Sequence, residues 1–163
     1  MIQVEEVTSG QWERLRAIRI ASLSANPEAF GANADDEIDL PQSVWLDRLE
    51  KEDYIVASVS SVDAGIMSIE VLDGDFGATC WIGGCWVKPD SRGTGVFRAM
   101  FDYVDRHATE RGWLVQGLGV WQDNLTAIRA YEKLGFVAMG EPKPSSRRTG
   151  KFYQRMIRQA PVA

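Results

Sequence analysis

Apolar and polar positions alternate from Ile2 to Val7, a period of two that predicts a first strand. Thr8 or Ser9 then stands where a helix cap belongs, and Trp12, Leu15, Ile18 and Leu23 recur at helical spacing behind it. The stretch Ala25 to Asn33 breaks that rhythm, and Pro41-Gln42-Ser43 opens a second helix through Val44, Trp45 and Leu49. The connection between the two is long for a compact domain, and long connections in small enzymes often line sites. Alternation resumes over Tyr54 to Ser60 and Ala64 to Leu72, which predicts a hairpin around Ser61-Val62-Asp63. Asp73 to Gly77 is a turn, and Thr79 to Lys88 is a strand whose Gly83-Gly84 pair predicts a bulge or a close backbone approach.

A third helix follows, with Phe97, Met100, Phe101, Val104 and Ala108 on one stripe and Arg98, Asp102, Asp105, Arg106 and Glu110 opposite, ending at Gly112. Trp113 to Val120 reads as a strand, Asn124 as the cap of a fourth helix ending at Leu134-Gly135, and Phe136 to Met139 as a short strand. Residues 141 to 150 read as loop and Phe152 to Arg158 as the last strand. The order strand, two helices, three strands, helix, strand, helix, two strands gives an α/β (α+β) fold, a mixed sheet with helices on both faces.

Composition narrows what such a fold does. With 163 residues, 45% hydrophobic and 25% charged, the chain is long enough for one sizeable core, so a single domain over 1–163 is expected. A net charge of -5 supplies no basic field for nucleic acid. No apolar run approaches the ~20 residues that cross a bilayer, and the acidic start Met1-Ile2-Gln3-Val4-Glu5-Glu6 is unlike a signal, which predicts a cytoplasmic protein without a membrane partner. Cys80 and Cys85 stand five apart on one strand and are expected on opposite faces, too far apart to bridge. A single histidine, His107, makes a histidine-based metal site short of ligands, so no metal is expected.

The candidate chemistry begins at the turn after the Gly83-Gly84 strand. Pro89 ends that strand, and Gly93 and Gly95 can adopt backbone angles closed to other residues. The amides of Gly93, Thr94, Gly95, Val96, Phe97 and Arg98 are then free at a helix start, with the positive end of the helix dipole behind them, which suits a phosphate. Val96-Phe97 after Gly95 excludes a P-loop, and Arg98 occupies the third glycine of the dinucleotide fingerprint.

The run Val87-Lys88-Pro89-Asp90-Ser91-Arg92-Gly93-Thr94-Gly95-Val96 resembles the coenzyme A diphosphate loop of the GNAT superfamily of acetyl-CoA-dependent N-acetyltransferases, V-x-P-x-x-[RQ]-G-x-G-[VI]-[GA]. Phe97 stands where that pattern has Gly or Ala, on the apolar stripe of its helix. Downstream, Val120 to Phe136 resembles the family's second motif, V-x-x-x-N-x-x-A-[IR]-x-x-Y-E-K-x-G-F, through Asn124, Ala127, Ile128, Tyr131, Glu132, Lys133, Gly135 and Phe136. The resemblance implies a mostly antiparallel sheet with a central splayed strand pair. It also implies acetyl-CoA as cosubstrate, a primary amine as acceptor and no metal, and a homodimer is compatible with it.

By the same resemblance Tyr131 is the general acid that protonates the leaving thiolate. Cys85, Trp86 and Val87 polarise the thioester carbonyl through main-chain amides. Arg92 through Arg98 bind the diphosphate, and Asn124 and Tyr131 contact the coenzyme arm. The string Asn26 to Gly31 resembles one wall of the acceptor pocket in bacterial members, although a solvated loop pinned by Phe30 fits it equally; Glu28, Phe30 and Glu70 are the acceptor-binding candidates. No base is evident, since Thr79 to Val87 holds no carboxylate and Gly119 occupies a place where some members carry Glu. Neutralising a lysine-like amine of pKa ~10.4 costs about 4.6 kcal/mol at pH 7, against about 1 kcal/mol for an α-amine near 7.7. Either a water-relayed carboxylate among Glu28, Asp35, Glu70 and Asp75 or a low-pKa amine is therefore expected, and that acidic set suggests a cationic acceptor. An acyl-CoA-binding sensor without turnover and, further off, a nucleotide-binding domain are the other readings.

Overall fold

A computed structural model describes residues 1–161; positions 162 and 163, the last two of the expected domain, lie outside the described residues. Seven strands form one sheet in the order β1-β2-β3-β4-β5-β7-β6. They are β1 (Ile2–Glu6), β2 (Asp53–Val59), β3 (Val62–Val71), β4 (Cys80–Val87), β5 (Val115–Trp121), β6 (Val137–Pro144) and β7 (Phe152–Gln159). Every neighbouring pair is antiparallel except β4 and β5, which run parallel. The mixed, mostly antiparallel α/β architecture is the one expected.

Six helices cover the sheet: α1 (Trp12–Ala25), α2 (Ala34–Glu37), α3 (Gln42–Lys51), α4 (Val96–Arg106), α5 (Ala108–Arg111) and α6 (Leu125–Lys133). One face buries Ile55, Met67, Ile69 and Leu118 against Val96, Met100 and Phe101 of α4 and Tyr131 of α6. The other packs Val56, Ile66 and Trp86 against Leu15 and Ile18 of α1 and Trp45 of α3. Burying each of these large side chains contributes about 1.5–3 kcal/mol.

Four local features depart from the sequence reading. The predicted third helix divides at His107, whose φ of -104° and ψ of 3° separate α4 from α5. The long connection after α1 is partly helical, with a 3-10 turn at Pro27–Ala29 and the short α2, whose Asn33 cap accepts a 2.9 Å hydrogen bond from the Asp36 amide. The loop expected at Glu141 to Pro144 is strand, because β6 is an edge strand and tolerates proline. Its register shifts between Met139 and Lys143, and Gly140 takes a φ of 73° there.

The fourth departure concerns the cysteines. Pairing of β3 with β4 shifts between Ile66 and Ser68, so Ile66 faces Trp86 but Ser68 faces Gly83, and the extra residue forms a bulge with Gly84 at φ 57°. One inserted residue reverses the alternation beyond it. Cys80 and Cys85 consequently both pack against the α4 and α6 face instead of opposite faces, and both are free thiols.

Candidate active site

The bulge also opens the sheet. β4 and β5 pair only through Cys80 with Gln116, Trp81 with Gly117 and Ile82 with Leu118. Beyond Ile82, β5 remains paired to β7 as far as Trp121, whereas β4 stays with β3 and leaves β5. A cavity of about 550 Å³ occupies the gap, within the range of small-molecule sites.

At the end of β4 the chain turns through a 3-10 segment, Pro89–Ser91, into the glycine turn. Gly93 (φ 76°) and Gly95 (φ 97°) are both left-handed, and a Cβ at Gly93 would meet nothing within 4 Å. Among the described residues the amides of Gly93, Thr94, Gly95, Val96, Phe97 and Arg98 have no backbone or side-chain acceptor, and the first bonded amide is Ala99, to the Gly95 carbonyl at 2.9 Å. Six free donors at the positive end of α4 form an anion cradle. The Thr94 hydroxyl donates to the Ser91 carbonyl and so braces the turn. Phe97 turns inward, with its ring 5.1 Å from Phe101 and 5.6 Å from Tyr131, which leaves the space above the turn to the backbone.

Arg92 is committed within the protein. Its Nε donates to the Val87 carbonyl and a terminal nitrogen donates to Asn26 Oδ1, each at 2.9 Å. The same Asn26 oxygen accepts from the buried Trp86 indole at 2.9 Å. The sequence singled out Asn26 only as the start of the Asn26 to Gly31 string; in the structure its one amide ties the glycine turn, β4 and the Pro27–Ala29 loop together.

On the α6 side, Asn124 caps the helix by accepting from the Ala127 amide at 3.2 Å, and both Asn124 and Tyr131 line the cavity. Tyr131 is packed among Phe97, Phe101 and Phe136 at centroid distances of 5.6, 6.2 and 5.6 Å. Its hydroxyl lies against the Cys85 thiol, and burial first, then Cys85, pushes the phenol well above its ordinary range. Burial likewise pushes the Cys85 thiol up to about 12, the Tyr131 contact only partly offsetting it. Beyond Gly83 the β4 backbone, including Cys85, Trp86 and Val87, has no strand partner on its β5 side.

The opposite wall is made of side chains. Phe30, Trp81, Trp121 and Tyr153 line it, together with Ser145, Ser146 and Arg147 from the loop before β7. A Cβ on Gly117 would fall 2.3 Å from Trp81 Cζ3, and one on Gly119 would fall 3.2 Å from Tyr153 Cδ2. Both glycines let an aromatic ring lie on the strand, and Tyr153 takes the space that a Glu at 119 would need. None of the lining residues is a carboxylate.

The four acids considered as relayed bases lie elsewhere. Glu28 is exposed and held below the usual carboxylate range by the hydrogen bond from Asn26. Asp75 is lowered by its 2.8 Å bond from Arg155. Asp35 and Glu70 are exposed on α2 and at the end of β3. Of the three acceptor candidates, only Phe30 reaches the cavity. His107 stacks on Tyr103 at 4.3 Å, away from the lining residues. The described residues contain no group of three or more His, Cys, Asp or Glu arranged to hold a metal.

Comparison with known proteins accounts for this geometry. The Escherichia coli ribosomal-protein-S18-alanine N-acetyltransferase is 17% identical, with a TM-score of 0.70 over 100% of this chain and 96% of that one. The Salmonella typhimurium yncA structure, which carries acetyl-CoA as its cofactor, is 17% identical with a TM-score of 0.73, covering 99% of this chain and 95% of that one. A GNAT-family acetyltransferase from Streptococcus pneumoniae is 16% identical with a TM-score of 0.77, covering 99% of this chain and all of its own. At these identities the likeness establishes the fold. No curated protein matches the sequence significantly. The family described as Acetyltransferase (GNAT) family matches residues 12–136, a span that begins at α1 and includes the split strands, the glycine turn and Tyr131. By that match the chain belongs to the GNAT acetyltransferase family.

Proposed function

We propose that the protein is an acetyl-CoA-dependent N-acetyltransferase that moves the acetyl group directly to a primary amine of a small molecule or peptide. The observation that carries this reading is the gap between β4 and β5, lined by Asn124 and Tyr131 and opening along the strand that leads into the turn of six free amides. The amides of Gly93 to Arg98 hold the diphosphate, and the unpaired edge of β4 receives the pantetheine arm. The thioester then lies, on this reading, between the Cys85 to Val87 backbone and Tyr131.

An amine that has lost its proton to solvent attacks the thioester carbonyl carbon. Negative charge builds on the carbonyl oxygen, where a fixed main-chain amide stabilises it without reorganisation. As the new C–N bond forms and the C–S bond breaks, the Tyr131 phenol passes its proton to the departing sulfur. Burial, with Cys85 beside it, holds the Tyr131 phenol well above its ordinary range and so keeps it protonated and able to donate at neutral pH. With no carboxylate on the walls, the second proton that the attacking nitrogen sheds as the amide forms leaves through water, and water returns a proton to the Tyr131 phenolate.

Incubation with acetyl-CoA and an amine library, monitored by free thiol, tests the reading. Amine-dependent thiol release is expected. Coenzyme A binding without release would favour an acyl-CoA sensor, the reading for which the missing carboxylate speaks. Stabilisation by ATP or NAD in place of coenzyme A would favour a nucleotide-binding domain. A cytoplasmic location, a single domain over the whole chain, a metal-free reaction and a homodimer belong to the same proposal; among the described residues no helix is long and apolar enough to cross a membrane.

A further inference from the structure

We infer that the acceptor is an amine with a flat aromatic body and a carboxylate, held by Arg147. This rests on the acetyl-transfer reading and gives its substrate class. The lining residues include one charged side chain, Arg147, and no acid, although the chain as a whole carries a net charge of -5. Its side chain crosses Gly31, where a Cβ would lie 3.0 Å from Arg147 Cδ, and among the described residues its guanidinium makes no ion pair or hydrogen bond. The neighbouring cations are occupied: Arg19 pairs with Glu37, Lys151 with Asp123 and Arg155 with Asp75, while Arg148 donates to the Pro27 carbonyl at 2.6 Å.

An unpaired guanidinium at the mouth of a cavity without carboxylates favours an anion there and opposes a dication. The wall beneath it supplies the rest of the recognition. Trp81 and Tyr153 lie against strand positions left bare by Gly117 and Gly119, and Phe30 and Trp121 complete an aromatic surface suited to a flat ring. The Trp121 indole N–H is buried without an acceptor, a second unpaired donor in the same wall. The acidic residues that suggested a cationic acceptor from the sequence are spent on Asn26 and Arg155 or point to solvent.

Three matched pairs that differ only in the carboxylate test the inference: phenylalanine with phenethylamine, tryptophan with tryptamine, and 4-aminobenzoate with aniline. Each is assayed for thiol release with wild type, Arg147→Ala and Arg147→Glu, while a thermal shift with coenzyme A is read in parallel. The expected result is a kcat/KM preference of about tenfold or more for the carboxylate member of at least one pair, falling to about one in Arg147→Ala and inverting in Arg147→Glu. Equal or greater turnover of the decarboxylated members, or a preference that survives Arg147→Glu, overturns it. So does turnover confined to amines outside the panel. Failure of coenzyme A to shift the wild type overturns instead the acetyl-transfer reading on which it stands.

Discussion

The two walls of the cavity are built on different principles. One wall, the coenzyme side on the proposed reading, is mostly backbone, the open edge of β4 that leads into the turn of six free amides, with a single phenol from α6. The opposite wall, the acceptor side on the proposed reading, is mostly side chain and comes from four separated stretches: the loop at Phe30, β4 at Trp81, β5 at Trp121, and the region from Ser145 to Tyr153. Backbone amides offer the same chemistry whatever residue carries them, so such a wall suits a ligand common to a family. A side-chain wall changes with every substitution, so under the proposed function it is where acceptor choice would reside.

The sharpest test of that division is Tyr131→Phe. It removes a proton donor and leaves the ring packing intact, so kcat is expected to fall about 100-fold, or about 3 kcal/mol, with the KM for acetyl-CoA little changed. Steady-state kinetics with acetyl-CoA varied decides it, and unchanged kcat would remove the phenol from the chemistry.

Asn26→Ala attacks the joint between the walls. The variant strands the buried Trp86 indole N–H and frees Arg92, which should cost about 2 kcal/mol in urea unfolding. Because Arg92 keeps its bond to the Val87 carbonyl, the acceptor KM should rise more than that of acetyl-CoA. An equal rise in both would mean that the walls are not separable in this way.

Gly95→Val changes only the backbone wall. The nearest atom to a Cβ there is Ile2 Cδ1 at 3.7 Å, so the side chain fits, but the φ of 97° does not suit it. A penalty near 1.4 kcal/mol, or about tenfold in the KM for acetyl-CoA, is expected, with acceptor preference unaltered.

The smallest effect concerns Glu37, whose carboxylate holds Arg19 at 3.2 Å and Arg48 at 2.8 Å; a Cβ at the Gly84 bulge would lie 3.2 Å from that Arg19. Burial alone would raise this carboxyl, but the two arginines outweigh it and hold it below its ordinary value of 4.5. A carboxyl lowered in the folded state stabilises fully above the unfolded value, and that contribution is lost as pH falls through the folded one. Melting temperature should therefore drop on acidification below about pH 4.5. Glu37→Gln should lower it by a few degrees at pH 7, about 2–4 °C per kcal/mol, and flatten its acid limb. An unchanged acid limb would show that this network does not govern the response.

The sequence by itself determined the order of the seven strands and the four longer helices, the bulge at Gly83-Gly84 and the free amides after Pro89, because each depends on residues within a few positions of one another. Alternation, helical spacing and the angles open to glycine are local physics. Tertiary structure decided what depends on chain segments meeting. The bulge placed Cys85 beside Tyr131 on the face that Cys80 already occupied. The sheet edge turned a proline-containing loop into β6. The acceptor wall joined Phe30, Trp81, Trp121, Arg147 and Tyr153, and left the four anticipated acids outside it. Hydrogen bonds and periodicity can be read along a chain, but a pocket made of side chains is a property of distances between residues far apart in sequence, and only the folded sheet fixes those.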